Sequence, residues 1–253
     1  MSEASGARQG ANARGPGIPA HSEGPRYQGV DNLEIMEAAH RYRAFLVGSV
    51  TDVVGPPEQA GRLLDFGSGT GTIARPLREL GYNVVCLEPD PALRSLLTND
   101  GFETSSSLDD HEPESIDAVY SMNVLEHIDD DAGTMATLHA VTRIGGRLVL
   151  YVPALQSLFS AMDRKVQHLR RYRRRPLEQL VTDAGYRVDR CRYVDVLGVP
   201  AVLAYKAFGN KRGDLNRGSV ATYDRIGFPV SRAVDRITGR ALGKNLLLLA
   251  TRP

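Results

Sequence analysis

The residues best placed to do chemistry gather at a few points along the chain. The stretch LLDFGSGTG, Leu63–Gly71, sets a glycine turn between a short apolar run and a helical stretch. Gly67, Gly69 and Gly71 have no side chain, so backbone N–H groups and the start of the next helix can close on a polar ligand, with Ser68 inside the turn. Asp65 precedes the turn, where a carboxylate suits a ligand bearing an ammonium group better than a pyrophosphate. The spacing is GxGxG, with Thr72 where the third glycine of the dinucleotide pattern GxGxxG would fall. Glu88, 23 residues beyond Asp65, ends the next apolar run. An acid at that place can accept hydrogen bonds from both hydroxyls of a ribose. Taken singly, the glycines also read as a plain turn, and Glu88 as a helix-start acid beside Pro89.

Two later stretches could serve a second reactant. Asn123, Glu126 and His127 follow an apolar run, where Asn123 can position a ligand and His127 can cap a helix or act as a base. Ser160 to Arg175, SAMDRKVQHLRRYRRR, holds seven Arg and Lys residues and a single acid, Asp163. Helical spacing would put His168, Arg171 and Tyr172 on one face, with Asp163 and Gln167 a turn back. That face reads either as a solvated basic surface or as an acceptor site favouring an acidic or phosphorylated molecule, with His168 as base.

These points need a scaffold, and the chain alternates strand and helix signals. Apolar runs at 62–66, 83–87, 116–122, 147–152 and 245–251, with weaker ones at 101–107 and 186–194, make six or seven strands separated by helical stretches. Near-continuous apolar runs between helices indicate a parallel sheet buried on both faces, hence a doubly wound α/β fold. A leading helix is predicted over Asp31–Val50, capped by Asp31 or Asn32. Residues 1–25 are Gly, Ala, Ser and Pro with scattered charge and read as a disordered tail, leaving 26–253 as one domain. About 50 residues between the sixth and last strands, 197–243, predict an inserted helical lid or a contact with a membrane surface.

Composition narrows the function. Lys plus Arg number 31 against 30 Asp plus Glu, a formal charge of +1, so no global field draws the chain to nucleic acid. The two cysteines, Cys86 and Cys191, have no Cys/His spacing, which argues against a zinc site and a disulfide framework and for a cytoplasmic home.

With these pieces in place, the chain resembles the class I S-adenosylmethionine-dependent methyltransferases, and more narrowly a bacterial subgroup acting on small molecules. The matching stretches are DFGSGTG (Asp65–Gly71), LEPD (Leu87–Asp90), SIDAVYSMNVLEHIDDD (Ser115–Asp131) and GGRLVLYVP (Gly145–Pro153). The resemblance implies a mostly parallel, seven-stranded Rossmann-like sheet with S-adenosyl-L-methionine as cofactor and S-adenosyl-L-homocysteine as product. It implies that Asp65, Gly67, Ser68, Gly69 and Gly71 hold the methionine part, and that Glu88 and Pro89 meet the ribose. Ser107 and Leu108 would frame the adenine, with Ser105 and Ser106 competing, and Asn123 and Val124 would lie beside the sulfonium. The expected reaction is methyl transfer to a small-molecule oxygen, nitrogen or carbon acceptor, with His168, His127, Tyr172 and Arg171 as candidate catalytic residues. The rival readings are a nicotinamide-dependent oxidoreductase and a non-catalytic, membrane-associated cofactor-binding scaffold.

Overall fold

A computed structural model describes residues 39–208, 216–238 and 241–253. The expected tail over 1–25 and the helix cap at Asp31 or Asn32 lie outside the described residues. Seven strands form one sheet in the order β3-β2-β1-β4-β5-β7-β6. These are β1 (Arg62–Phe66), β2 (Asn83–Leu87), β3 (Glu103–Ser105), β4 (Ile116–Met122), β5 (Thr142–Pro153), β6 (Arg187–Val194) and β7 (Asn245–Thr251). The first five are parallel, and β7 runs antiparallel between β5 and β6.

Period-two alternation divides the apolar runs between two cores. Leu64, Val85, Val119 and Leu148 face one side, where α4 (Asp131–Val141) and α6 (Arg174–Asp183) contribute Leu138 and Leu177. Leu63, Val84, Ala118 and Val149 face the other, covered by α1 (His40–Val54), α2 (Ala74–Glu79) and α3 (Pro91–Asn99) through Val50, Leu77 and Leu97. Every one of these leucines is fully buried, and each such side chain stabilises the fold by about 1.5 to 3 kcal/mol. A shift by one residue would turn them all to the wrong face, which pins the register.

The strand order reverses between β1 and β4, since β2 leads outward on one side and β5 on the other. Such a reversal opens a crevice beyond the carboxyl ends of the strands, because the adjoining loops turn to opposite faces. The glycine loop after β1 and the Asn123 segment after β4 flank it.

Between β6 and β7 the described residues include α7 (Gly198–Phe208), α8 (Arg217–Thr222), a π turn (Tyr223–Gly227) and α9 (Phe228–Thr238). This insertion is tied to α1. Asp224 accepts from the amides of Arg41 (3.0 Å) and Tyr42 (2.8 Å), the start of α1. The Phe228 ring packs edge-on against Tyr42, and Arg232 lies 4.0 Å over the Phe45 ring. Among the described residues no helix is long and apolar enough to cross a membrane.

Candidate functional site

The glycine loop is built by its neighbours as much as by its own sequence. Gly67 and Ser68 donate their amides to the Leu87 carbonyl at 2.9 and 3.0 Å, which pulls the loop against the end of β2. Ser68 closes the turn by donating its hydroxyl to the Asp65 carbonyl at 2.9 Å. All three glycines have positive φ, but they answer different needs. A Cβ on Gly67 would stand 2.6 Å from both methyls of Val124, and one on Gly71 would stand 2.8 Å from Leu97. A Cβ on Gly69 would enter open space. The loop therefore packs at its ends and leaves backbone facing the crevice in its middle.

Glu88 couples this loop to the end of β2. Its two carboxyl oxygens accept from the amides of Gly69 (2.8 Å) and Asp90 (2.9 Å), and the side chain is buried. Burial pushes its pKa up while the two amides pull it down. A carboxylate offers about four lone-pair directions, so two remain for a diol. Pro89 is exposed beside it, ahead of Asp90, which caps α3. Asp65 sits beneath the loop, 3% exposed, and burial pushes its carboxyl up to about 8, with Tyr120 opposing the rise and the charge of Glu88 adding to it.

The adenine candidates separate by burial. Ser105 shares a hydrogen bond with the His111 ring at 2.8 Å, and Ser106 donates to Asp110. Ser107 caps the turn Leu108–Asp110 by accepting from the Asp109 amide. Leu108 is buried in the core.

Across the crevice, Asn123 takes a φ of +58° and donates its amide to the Tyr151 carbonyl at 2.7 Å. Its side-chain nitrogen donates to the Tyr42 hydroxyl at 3.2 Å, joining β4 to α1. Val124 then fills the space left by Gly67.

The stretch from Ser160 to Arg175 corrects the sequence reading. No helix spans it: α5 covers only Ala161–Lys165, and Gln167 adopts a φ of +62° that breaks the helical path. The cause is Asp163, whose Oδ2 holds the Ser160 amide and hydroxyl while its carbonyl accepts the His168 amide at 2.8 Å. The chain thereby folds back on its one acid. His168 Nδ1 lies 2.8 Å from Asp163 Oδ1, and Arg171 clamps the same carboxylate through Nε (2.8 Å) and Nη2 (3.0 Å). Arg171 is committed there, with a third bond to the Ala154 carbonyl, so it is no free anion site. Tyr172 faces away into the core, donating to the Leu125 carbonyl and meeting Asp131. The solvated part of the stretch is its rim: Arg164, Arg173, Arg174 and Arg175 are exposed, Arg174 pairing there with Glu178, while Arg170 pairs with Asp131.

His168 and His127 do come together, with ring centroids 4.7 Å apart and edge-on. Leu169 donates its amide to the Glu126 carbonyl at 2.9 Å and ties the two segments. Behind the rings lies Glu126, fully buried, with Oε1 3.5 Å from His168 Nε2 and neither carboxyl oxygen accepting a well-formed hydrogen bond. Burial pushes it up to about 8, against the pull of Arg171. Burial and the neighbouring His168 push His127 down to about 4. Burial opposes ionisation of Asp163, yet the bonds from His168 and Arg171 prevail and hold its carboxyl well below the usual range. The donor atoms of Glu126, His127 and His168 lie within 4.8 Å of one another, a group of a size to share a divalent cation. Sequence reading named Asp163 and Glu126 but gave neither a role. The signal for Asp163 was its isolation among seven bases.

The sequence matches the methyltransferase-domain family over residues 38–190, more than half of the chain. The chain belongs to the class I S-adenosylmethionine-dependent methyltransferases. Two curated relatives, both ubiquinone biosynthesis O-methyltransferases, are similar to this methyltransferase. That of Methylocella silvestris is 36% identical over 99 residues, 36% of this chain and 39% of that protein. That of a Methylobacterium species is 29% identical over 157 residues, 52% of this chain and 62% of that protein. The methyltransferase thus spans 39% and 62% of the lengths of these relatives. Among solved structures, phosphoethanolamine N-methyltransferase 2 of Haemonchus contortus, in complex with S-adenosyl-L-methionine, has a TM-score of 0.60 at 15% identity, covering 90% of this chain and 58% of that one. At that identity the likeness speaks for the fold.

Proposed function

We propose that this methyltransferase transfers the methyl group of S-adenosylmethionine to a hydroxyl of a small-molecule acceptor, with His168 taking the acceptor's proton. The donor's residues would be the open middle of the Gly67–Gly71 loop and the spare lone pairs of Glu88. When bound, S-adenosylmethionine supplies an electrophilic methyl on a sulfonium. The protein's part is to hold the nucleophile in line at roughly 3 to 3.5 Å and to remove its proton. The name of the two curated relatives supports an oxygen acceptor.

The observation that carries the reading is the contact between Asp163 and His168. A carboxylate on Nδ1 fixes that nitrogen as the donor, which leaves the lone pair on Nε2. Asp163 is in turn fixed by Arg171, so both act on the acceptor through His168 as positioning residues. His127, held near 4 by burial and the neighbouring His168, is a weak base. With Arg171 committed to Asp163, nothing in this segment calls for an anionic acceptor.

A second reading keeps the acceptor and changes how its proton is weakened. Glu126, His127 and His168 would hold a divalent cation that binds the acceptor hydroxyl and lowers its pKa. The unpartnered oxygens of Glu126 favour it.

The test is product formation with a panel of phenolic and catecholic acceptors. His168→Asn should lower turnover by about a hundredfold or more while S-adenosylhomocysteine affinity stays as in wild type. Unchanged turnover removes His168 as the base. Loss of activity on chelation, restored by a divalent cation, would select the second reading.

A further inference from the structure

The helix made by α8, the π turn and α9 carries two opposed faces. The inner one holds Phe228 against α1, Ser231 accepting from the Leu197 amide, and Asp235 accepting from the amides of Asp195 and Val196. The outer one lines up Ile226, Val230, Ala233 and Ile237 at steps of four, three and four residues, one stripe of a helix. That stripe faces solvent: Ile226 is 61% exposed, Val230 49% and Ile237 86%. Single exposed apolar residues are ordinary, but an apolar stripe turned outward on a helix whose acids and Ser231 are turned inward is not.

The charges are sorted in the same way. Among the described residues of 197–243 the only acids are Asp224 and Asp235, and both face the protein, one capping α1 and the other on two amides. Lys206, Arg217, Arg225 and Arg236 are exposed. An apolar stripe flanked by cations, without exposed acids among the described residues of the insertion, matches an anionic bilayer, where the side chains enter the acyl boundary and the cations meet the headgroups. A second copy of the chain is a poor occupant. A two-fold contact sets the same patch against itself, bringing cation against cation with no exposed acid among the described residues of the patch to pair them.

We infer that the outer face of α8–α9 seats the protein on anionic lipid, through Ile226, Val230 and Ile237 with Arg225 and Arg236 beside them. This gives the broad membrane expectation for 197–243 a defined face, and it stands independently of the acceptor. The full chain would be sedimented with vesicles of phosphatidylcholine alone and of phosphatidylcholine with phosphatidylglycerol. Binding should be about tenfold or more stronger to the anionic vesicles and should weaken as salt is raised. Val230→Asp with Ile237→Asp should lose about tenfold or more. Each of Arg225→Glu and Arg236→Glu should lose about fivefold or more on anionic vesicles. S-adenosylhomocysteine affinity should be unchanged in all four substitutions, which shows that the variants are folded. Absent binding, equal binding to both vesicles, or binding indifferent to these substitutions overturns the inference. A dimer in light scattering that Ile237→Asp converts to monomer overturns it in favour of a second copy.

Discussion

Glu88 has a structural role and, in the function proposed above, a donor-binding one, and substitutions there separate poorly unless the loop is read alongside it. Its carboxylate holds the Gly69 and Asp90 amides, and its remaining lone pairs are the ones proposed for the donor's diol. Glu88→Ala should weaken S-adenosylhomocysteine binding about tenfold or more in calorimetric titration, because hydrogen bonds to a charged group are worth about 1.5 to 3 kcal/mol. Unchanged affinity in a folded variant takes Glu88 out of the site. The glycines supply a cleaner contrast. Gly67→Ala drives a Cβ into the Val124 methyls, so it should lower the unfolding midpoint, whereas Gly69→Ala meets open space and should weaken donor binding more than that of any neighbour. Equal effects on stability and binding at both positions would show that the loop has no open middle. The glycine loop and the acid at the end of β2 stood out in the sequence because crevice chemistry demands small residues and an acid at fixed strand ends. Glu126 did not, because its surroundings depend on where a chain segment some forty residues away returns in space, and Asp163 did not, because its partners are set by the local fold-back of its own segment.

The segment after β5 shows why spacing alone misassigned an element. Counting His168, Arg171 and Tyr172 at helical intervals presumes a helix, and the chain instead wraps around a buried carboxylate at Asp163. A buried ion pair contributes little by itself but breaks expensively. Asp163→Ala leaves the Arg171 guanidinium, 2% exposed, without its carboxylate, and should cost roughly 3 to 5 kcal/mol in denaturant unfolding. A loss under about 1 kcal/mol would mean the segment is held by its backbone bonds alone. The strands, by contrast, were readable as elements, since β1, β2, β4, β5 and β7 are apolar on both faces. Their pairing was less so: that β7 lies between β5 and β6 follows from the sheet as a whole. The insertion between β6 and β7 is a further element whose attachment can be tested. Asp224→Ala removes the cap on α1 at a cost of about 1 kcal/mol and should speed amide exchange in the first turn of α1 and in α9. Exchange confined to wild-type rates there would separate the insertion from α1.

At the scale of the whole molecule, the buried titratable groups set how stability follows pH. Asp163 and His127 have folded values below their ordinary ones. Their stabilisation is complete above the unfolded values, 3.8 and 6.5, and is lost as pH falls through the folded ones. Asp65 and Glu126 behave in the opposite sense. Raised to about 8 from 3.8 and 4.5, they bind protons in the folded chain that the unfolded chain has released. Their contribution is full below the unfolded values and is lost as pH rises through about 8. Between pH 6.5 and 8 these two carboxyls alone among the four still titrate differently in the two states, and both tilt the curve downward. Each contributes a slope of about 1.4 kcal/mol per pH unit at most. Urea unfolding of the ligand-free protein across this window should therefore show stability falling as pH rises, and Glu126→Gln should remove about half of the fall. Asp65→Asn should remove the other half. Donor binding supplies the matching sign at the site: an ammonium group seated near Asp65 favours its ionised form, so calorimetry in buffers of different ionisation enthalpy should record proton release near neutral pH, absent in Asp65→Asn. A flat stability profile, or binding without proton release, would mean that Asp65 and Glu126 are already ionised in the folded protein at neutral pH.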